Sequence, residues 1–214
     1  MREAHISATA LEARVMHGRP IGRKPGRVAV VLHRDVAAGD LVTKIWERRD
    51  GFSSDWFVPY YRRFQHNAGE LRRRGIDAPD VVALGRVRGT RRRYVTYRYM
   101  VGESLREIAL SCGTIDRASF AAFLRALHEE GIYFRSLHLG NVLRRQGGRF
   151  ALVDVTDTVF YRRPLPLDVR ARNLKFLASY ANDVACLGGE TRLADDYLAA
   201  CTSIDAERLR QALR

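Results

Sequence analysis

The spacing of apolar residues changes near residue 103, and this change limits the fold more than any other feature of the sequence. Before it, short β-branched runs separated by turns predict two pairs of β-strands, with one amphipathic helix over residues 54–74 between the pairs. The four predicted strands cover residues 28–33, 41–46, 81–87 and 93–100. After residue 103 the spacing is mostly helical. This order predicts an α+β protein with a β-rich domain over residues 1–100 and a helical domain over residues 101–214.

The second half contains helical stretches on either side of a small strand pair. The first long helix begins after Asp116 or Thr114, either of which can act as an N-cap, and it ends at Gly131. Residues 141–145 and 150–155 then form two short predicted strands joined by a glycine turn. The rest of the chain is predicted to be helical.

The chain is strongly basic: 37 Lys and Arg residues stand against 24 Asp and Glu residues, which gives a formal net charge of +13. Only three of the basic residues are lysines, at positions 24, 44 and 175. Most of the excess lies in the first half, because residues 1–107 hold 22 basic and 12 acidic side chains. Such a surplus predicts an anionic partner, a class that includes nucleic acids, phosphorylated molecules and acidic membrane surfaces. The arginine runs at residues 72–74 and 91–93 are equally typical of a solvated helix end and a hairpin turn.

Cysteine usage and the N-terminal residues predict the compartment. The three cysteines, Cys112, Cys186 and Cys201, are far apart and form no CxxC motif, which is typical of thiols in a reducing compartment. No run approaches the ~20 apolar residues of a membrane-spanning helix. The first residues lack the apolar stretch of a secretory signal. We therefore expect a cytoplasmic protein.

Three residues occur in the order in which protein kinases use them for phosphoryl transfer. Lys44 lies inside the apolar strand 41–46, where kinases have the lysine that binds the α- and β-phosphates. The segment 134–141, Phe-Arg-Ser-Leu-His-Leu-Gly-Asn, aligns with the kinase catalytic loop H-R-D-L-x-x-x-N. Asp154 lies at the end of a short predicted strand, as does the metal-binding Asp of kinases. Each match also has a purely structural interpretation. Lys44 would then be a lysine exposed on a strand, and Asn141 and Asp154 would belong to an incidental surface hairpin.

Several further segments resemble the lipopolysaccharide core kinases of the Kdo/heptose kinase type, and most closely their short pseudomonad relatives labelled toluene-tolerance proteins. Besides the active-site loops, the resemblance is carried by residues 74–80, 97–105, 162–165 and 170–174. It implies a protein-kinase-like bilobal fold with a small β-rich N-lobe and a reduced helical C-lobe. It also implies ATP-dependent phosphorylation of a sugar hydroxyl in the lipopolysaccharide core, or in another anionic glycolipid, at the cytoplasmic face of the inner membrane. Peripheral contact with the membrane surface is part of that expectation.

The resemblance implies a role for each matching residue. Lys44 would bind the phosphates of ATP, and Met100 with its neighbours would line the adenine pocket. Asn141 and Asp154 would bind Mg²⁺. ATP and magnesium are therefore the expected cofactors.

The first half departs from the kinase pattern at two points. Where the resemblance places the helix glutamate that pairs with the lysine, this chain has Asn67, and Glu70 follows one turn later as the alternative. The phosphate-covering loop is not G-x-G-x-x-G, since the glycines are Gly18, Gly22 and Gly26 amid basic residues. This stretch predicts either a phosphate-binding loop or a flexible basic linker.

The catalytic loop departs as well, because Ser136 stands where kinases have a carboxylate base and Phe134 replaces the histidine. A neutral serine does not act as a carboxylate base. In one interpretation the protein is an active kinase in which His138 or Asp157 takes the proton. In a second it is a pseudokinase that binds nucleotide and regulates or scaffolds envelope biosynthesis. A third, an Arg-rich nucleic-acid-binding protein, is disfavoured because no zinc-finger or RNP-type motif accompanies the arginines.

Overall fold

The computed structural model describes residues 4–24, 28–35, 37–47, 58–112, 114–201 and 207–211. The chain divides into two compact units, Met1–Val101 and Gly102–Arg214, each of mixed α/β structure. The described elements of the first unit are strands β1 (Ala4–Ile6), β2 (Arg19–Lys24), β3 (Val28–Asp35), β4 (Gly39–Glu47), β5 (Val81–Val87) and β6 (Arg92–Arg98), and helices α1 (Ala8–His17) and α2 (Tyr60–Arg73).

The strands of the first unit form one sheet in the order β1-β5-β6-β4-β3-β2. β1 runs parallel to β5, and all other neighbouring strands in the sheet are antiparallel. The predicted hairpin is confirmed by β3 and β4, which pair from Val28 opposite Trp46 to Asp35 opposite Gly39. The second predicted strand pair is confirmed by β5 and β6, although β6 ends at Arg98 rather than at residue 100.

The sheet buries a different apolar cluster on each face because side chains alternate along a strand. Ile45 lies in one cluster with Leu11 of α1 and Tyr94 of β6. Trp46, the next residue of β4, contacts the ring of Phe64 on α2. The predicted helix is therefore confirmed over Tyr60–Arg73, while residues 54–57 of the prediction lie outside the described residues.

Residues 19–24, expected as part of a glycine-containing loop or flexible linker, form a strand instead. β2 pairs with β3 through an irregular register between Pro20 and Gly22, which is typical of a β-bulge. The backbone hydrogen bonds of this pairing outweigh the weak strand propensity of Gly and Pro. Gly18 immediately precedes β2, whereas Gly26 lies outside the described residues.

The second unit combines helices with two small sheets. Its described elements are β7 (Glu103–Ser104), α3 (Leu105–Cys112), α4 (Arg117–Glu129), β8 (Ile132–Phe134), β9 (Val142–Arg144), β10 (Phe150–Leu152), β11 (Thr158–Phe160), α5 (Leu167–Ala178), α6 (Ala181–Cys186) and α7 (Glu190–Ala199). Strands β10, β9 and β7 form one sheet, and β11 pairs with β8 in the other. The predicted small strand pair is confirmed by β9 and β10.

Both predicted ends of α4 are confirmed. Asp116 is the N-cap, and its side chain accepts hydrogen bonds from the backbone N–H and the hydroxyl of Ser119. Gly131 follows the helix with a φ of 68°. A Cβ at this position would lie 2.6 Å from the carbonyl oxygen of Arg163 and 2.7 Å from that of Tyr161, so only glycine fits here without a shift of the backbone.

Candidate functional site

The loop that aligns with the kinase catalytic loop connects β8 to β9, and its two ends are joined by hydrogen bonds. Nδ2 of Asn141 donates to the backbone oxygen of Ser136 at 2.9 Å. The backbone N–H of Asn141 donates to the oxygen of His138, also at 2.9 Å. Because the amide nitrogen of Asn141 is engaged, the side-chain oxygen is the atom with which this residue would meet a cation.

Asp154 lies next to Asn141 through the β9–β10 pairing. Leu152 stands opposite Val142, and one step further the backbone N–H of Val153 donates to the oxygen of Asn141 at 3.0 Å. Asp154 has φ 54° and ψ 48°, the left-handed region, and it is the one non-glycine residue with positive φ in the described part of the chain. Such a conformation is concentrated at functional sites, where surrounding structure holds it in place.

The donor set of Asn141 and Asp154 fits Mg²⁺. Among the described residues, no group of three His, Cys, Asp or Glu side chains is placed to hold a metal ion. Magnesium in phosphate-transfer sites takes one or two protein oxygens and completes its shell with water and phosphate oxygens. One amide oxygen and one carboxylate meet that requirement, whereas they fall short of a structural zinc site.

The loop is fixed from outside by a buried carboxylate that the sequence did not single out. Asp183 on α6 is 2% exposed and accepts the backbone N–H of Leu139 at 2.8 Å. The same carboxylate accepts Nε and Nη2 of Arg106, each at 2.8 Å, in a two-pronged ion pair. A Cβ on Gly140 would lie 3.1 Å from Nη1 of Arg106 and 3.2 Å from the ring of His138. These contacts hold residues 138–141 between α3 and α6.

The candidates for proton transfer occupy two neighbouring turns. Ser136 and His138 lie half-buried on the loop, and the imidazole of His138 packs against the ring of Tyr180 with 5.1 Å between centroids. Asp157 is half-buried at the end of the single 3₁₀ turn Val155–Asp157, directly after Asp154. Their roles in proton transfer stay predictions.

In the first unit, Lys44 is buried at 6% exposure among aromatic rings. Its Nζ lies 5.2 Å from the centroid of the Trp46 ring and 5.7 Å from that of Phe64. Such ring faces attract a cation and stabilise it in a desolvated position. Asn67 is buried one turn after Phe64 on the same face of α2. The resemblance pairs Lys44 with Asn67. Lys44 lies against the ring of Phe64, and Asn67 lies one turn after Phe64 on the same helix.

Glu70, the alternative partner of Lys44, forms ion pairs with Arg73 and Arg74. Its oxygens accept hydrogen bonds from the two guanidinium groups at 2.7 to 2.8 Å. The hydrogen bond from Arg73, and after it the one from Arg74, lowers the pKa of Glu70 to about 2. Met100 is half-buried just after β6, two residues beyond Arg98.

The two arginine runs lie at a helix end and at a hairpin turn, as the sequence also allowed. Residues 72–74 close α2, and all three arginines pair with carboxylates, of Asp80 or Glu70. Residues 91–93 lie at the turn and first strand residues between β5 and β6. The first run therefore has part of its charge neutralised within the unit.

A buried polar network under the loop was not predicted. His128 on α4 is fully buried; its Nδ1 lies 2.7 Å from the hydroxyl of Tyr197, and its Nε2 lies 3.1 Å from Oδ1 of Asn173. Nδ2 of Asn173 donates to the oxygen of Phe134 at 2.9 Å. Burial lowers the pKa of His128 to about 4 and raises the pKa of Tyr197 well above its ordinary value. The sequence indicates only that His128 follows Leu124 by four residues and so shares its buried helix face.

No protein-family model matches this chain, and no curated protein does. The crystal structure of WbdD is similar in fold, with a TM-score of 0.52 and 15% sequence identity over 90% of this chain. The match covers 49% of the WbdD chain, so this chain spans about half the length of that neighbour. In the described part of the chain, no helix is both long enough and apolar enough to cross a membrane.

Proposed function

We propose that this protein is a kinase-like phosphotransferase that uses ATP and magnesium to phosphorylate a sugar hydroxyl of the lipopolysaccharide core. The proposal rests above all on the geometry around Asn141 and Asp154. The asparagine has its amide nitrogen fixed by Ser136 and its backbone oxygen bonded to Val153, and the aspartate that follows has a left-handed backbone. A carboxylate and an amide oxygen placed in this way are suited to a cation that carries phosphate.

Each residue contributes through positioning or charge. Asn141 and Asp154 would hold Mg²⁺, which when bound neutralises phosphate charge. Lys44, buried against Trp46 and Phe64, presents a cation suited to phosphate oxygens. Asp183 holds the loop backbone through Leu139. Since the transition state of phosphoryl transfer is loose, little proton transfer is needed early, so a serine at the base position is compatible with turnover.

A pseudokinase is the second candidate, and the hydrogen bond of Asn141 is the observation that favours it. This bond ends on the backbone oxygen of Ser136, so the loop keeps its form without a carboxylate at that position. Nucleotide binding alone would be preserved in such a protein. In both candidates the resemblance, together with the excess of arginine, supports an anionic glycolipid partner at the cytoplasmic face of the inner membrane.

The experiment that separates the candidates measures ATP binding and turnover in parallel. Binding is followed by thermal shift with ATP and Mg²⁺, and turnover by phosphate transfer to purified core oligosaccharide. The variants are Asp154→Asn, Ser136→Ala and Ser136→Asp. We expect the wild type to bind and turn over ATP, Asp154→Asn to lose magnesium-dependent binding, and Ser136→Asp to equal or exceed the wild type.

The outcomes have distinct meanings. Binding without turnover in the wild type, with turnover gained in Ser136→Asp, supports the pseudokinase. The phosphotransferase proposal is wrong if the wild type shows no thermal shift, or if turnover is unchanged in Asp154→Asn.

A further inference from the structure

We infer that a row of aromatic rings leading from the candidate catalytic loop to the surface binds the acceptor as an anionic saccharide. The row begins at His138 on the loop, continues to Tyr180 at 5.1 Å between centroids, and ends at Phe176 a further 5.6 Å on. The inference rests on the proposed function for the identity of the loop. It adds the residues that would select the acceptor.

The exposure of Phe176 indicates a binding role. This ring is 37% exposed on α5 although it belongs to a continuous row of aromatic contacts. Single exposed apolar residues need no explanation, but a row of rings that connects a polar loop to solvent is a different case. Aromatic rings stack on the C–H faces of sugar rings, and Tyr and His add polar edges that hydrogen-bond to hydroxyls.

The charges around the row favour an anionic ligand. Two exposed basic residues of α5 lie near Phe176. Arg172 lies one turn before it, and Lys175 is the residue directly before it. Asp168 is the acidic residue of the same helix, a further turn away from Phe176. Near the ring the helix is therefore cationic, which suits a sugar that carries phosphate or carboxylate groups.

The loop end of the row lies beside the residues proposed for chemistry. His138 is two residues from Ser136, and its backbone oxygen accepts the N–H of Asn141. Because the two centroid separations along the row are 5.1 and 5.6 Å, a saccharide of more than one sugar unit would be needed to reach from the loop to Phe176 on α5.

The test measures binding of a phosphorylated, deacylated core oligosaccharide by titration calorimetry, without nucleotide. Its dephosphorylated form and inorganic phosphate serve as comparison probes. We expect Phe176→Ala to weaken binding about fivefold, as loss of one ring contact implies. Tyr161→Ala is the matched control, because Tyr161 is an aromatic residue of the same unit with 36% exposure. This control is expected to bind within about twofold of the wild type.

Charge and stability are tested separately. The double variant Arg172→Gln/Lys175→Gln is expected to lose the preference for the phosphorylated probe over the dephosphorylated one. Thermal melts establish that Phe176→Ala remains folded, and the conservative Tyr180→Phe variant keeps the ring while removing its hydroxyl.

Three results would overturn the inference: no oligosaccharide binding by the wild type, equal binding by Phe176→Ala, or equal weakening by Tyr161→Ala. Binding of inorganic phosphate alone with the same affinity would likewise reject a saccharide site. ATP binding is measured in the same preparations. Its absence refutes phosphotransfer while leaving the saccharide surface standing, so the two proposals fail independently.

Discussion

Acid is expected to destabilise the second unit through a single buried imidazole. His128 lies between the Tyr197 hydroxyl and the side-chain oxygen of Asn173. Since Nδ2 of Asn173 donates to Phe134, its oxygen faces the imidazole, and Nε2 of His128 is the donor. Nδ1 then accepts the Tyr197 hydroxyl, so the neutral ring satisfies every partner. A proton added to Nδ1 would be buried, would be repelled by the Arg170 guanidinium more than it is attracted by Glu129, and would oppose the hydroxyl hydrogen.

The size of the effect follows from the pKa. Burial lowers the pKa of His128 from 6.5 to about 4, so the unfolded chain binds this proton more readily than the folded one. Stability from the neutral ring is fully present above pH 6.5 and is lost as the pH falls toward 4. Each pKa unit corresponds to about 1.4 kcal/mol, which gives a total loss on the order of 3 kcal/mol. At pH 5 the expected loss is about 2 kcal/mol.

The assay is urea unfolding between pH 7.5 and 4.5 for the wild type and His128→Gln. Other titrating groups are common to both proteins, so the difference in slope reports on His128. His66→Gln removes an exposed histidine and should follow the wild type. NMR titration of the His128 ring gives the pKa directly. Equal loss of stability in wild type and His128→Gln down to pH 5, or a His128 titration near pH 6.5, would refute the reasoning.

Three further substitutions test the second unit. Asp116→Ala removes the cap of α4 and should cost about 1 kcal/mol in urea unfolding, while Asp116→Asn should cost less; equal values would contradict a capping role. Asp183→Ala leaves the Leu139 N–H without its acceptor and should lower the free energy of unfolding by about 2 kcal/mol. The control Asp196→Ala removes the more exposed ion pair with Arg117 and should lower it by less than about 1 kcal/mol. Asp154→Gly should be more stable than Asp154→Ala by about 0.5–1 kcal/mol because alanine resists positive φ, and the reverse order in thermal melts would argue against the left-handed backbone.

Local sequence patterns were sufficient to predict the helices and strands whose own residues favour that secondary structure. β3 and β4 are β-branched strands joined by a short turn, and α2 repeats its apolar residues at helical spacing. β1 and β2 could not be predicted in this way. Three residues of β1 pair in parallel with β5, more than 70 positions later, and β2 contains both Gly and Pro. Such strands are specified by a partner, and sequence periodicity does not reveal the partner.

The same distinction holds for the candidate site. Asn141 and Asp154 were predicted because their order and spacing match a motif, although their roles in metal binding stay predictions. Asp183 and Asn173 were missed because they contact the loop across 44 and 39 positions of sequence. A carboxylate or amide in a distant helix has no local pattern that reveals which backbone group it will bind. The prediction for Glu70 as a lysine partner left out Arg73 and Arg74, which are closer in sequence.

The hydrogen bond between Tyr197 and His128 sets one limit on how far the second unit can be shortened. Tyr197 lies on α7 and is fully buried, and its hydroxyl completes the hydrogen bonds of the buried His128 on α4. A fragment that ends before this residue would leave a neutral imidazole facing a void or water in place of a hydroxyl. Fragments for expression, crystallisation or fusion should therefore retain all of α7, and also Leu209 beyond it, because the side chain of Leu209 is fully buried.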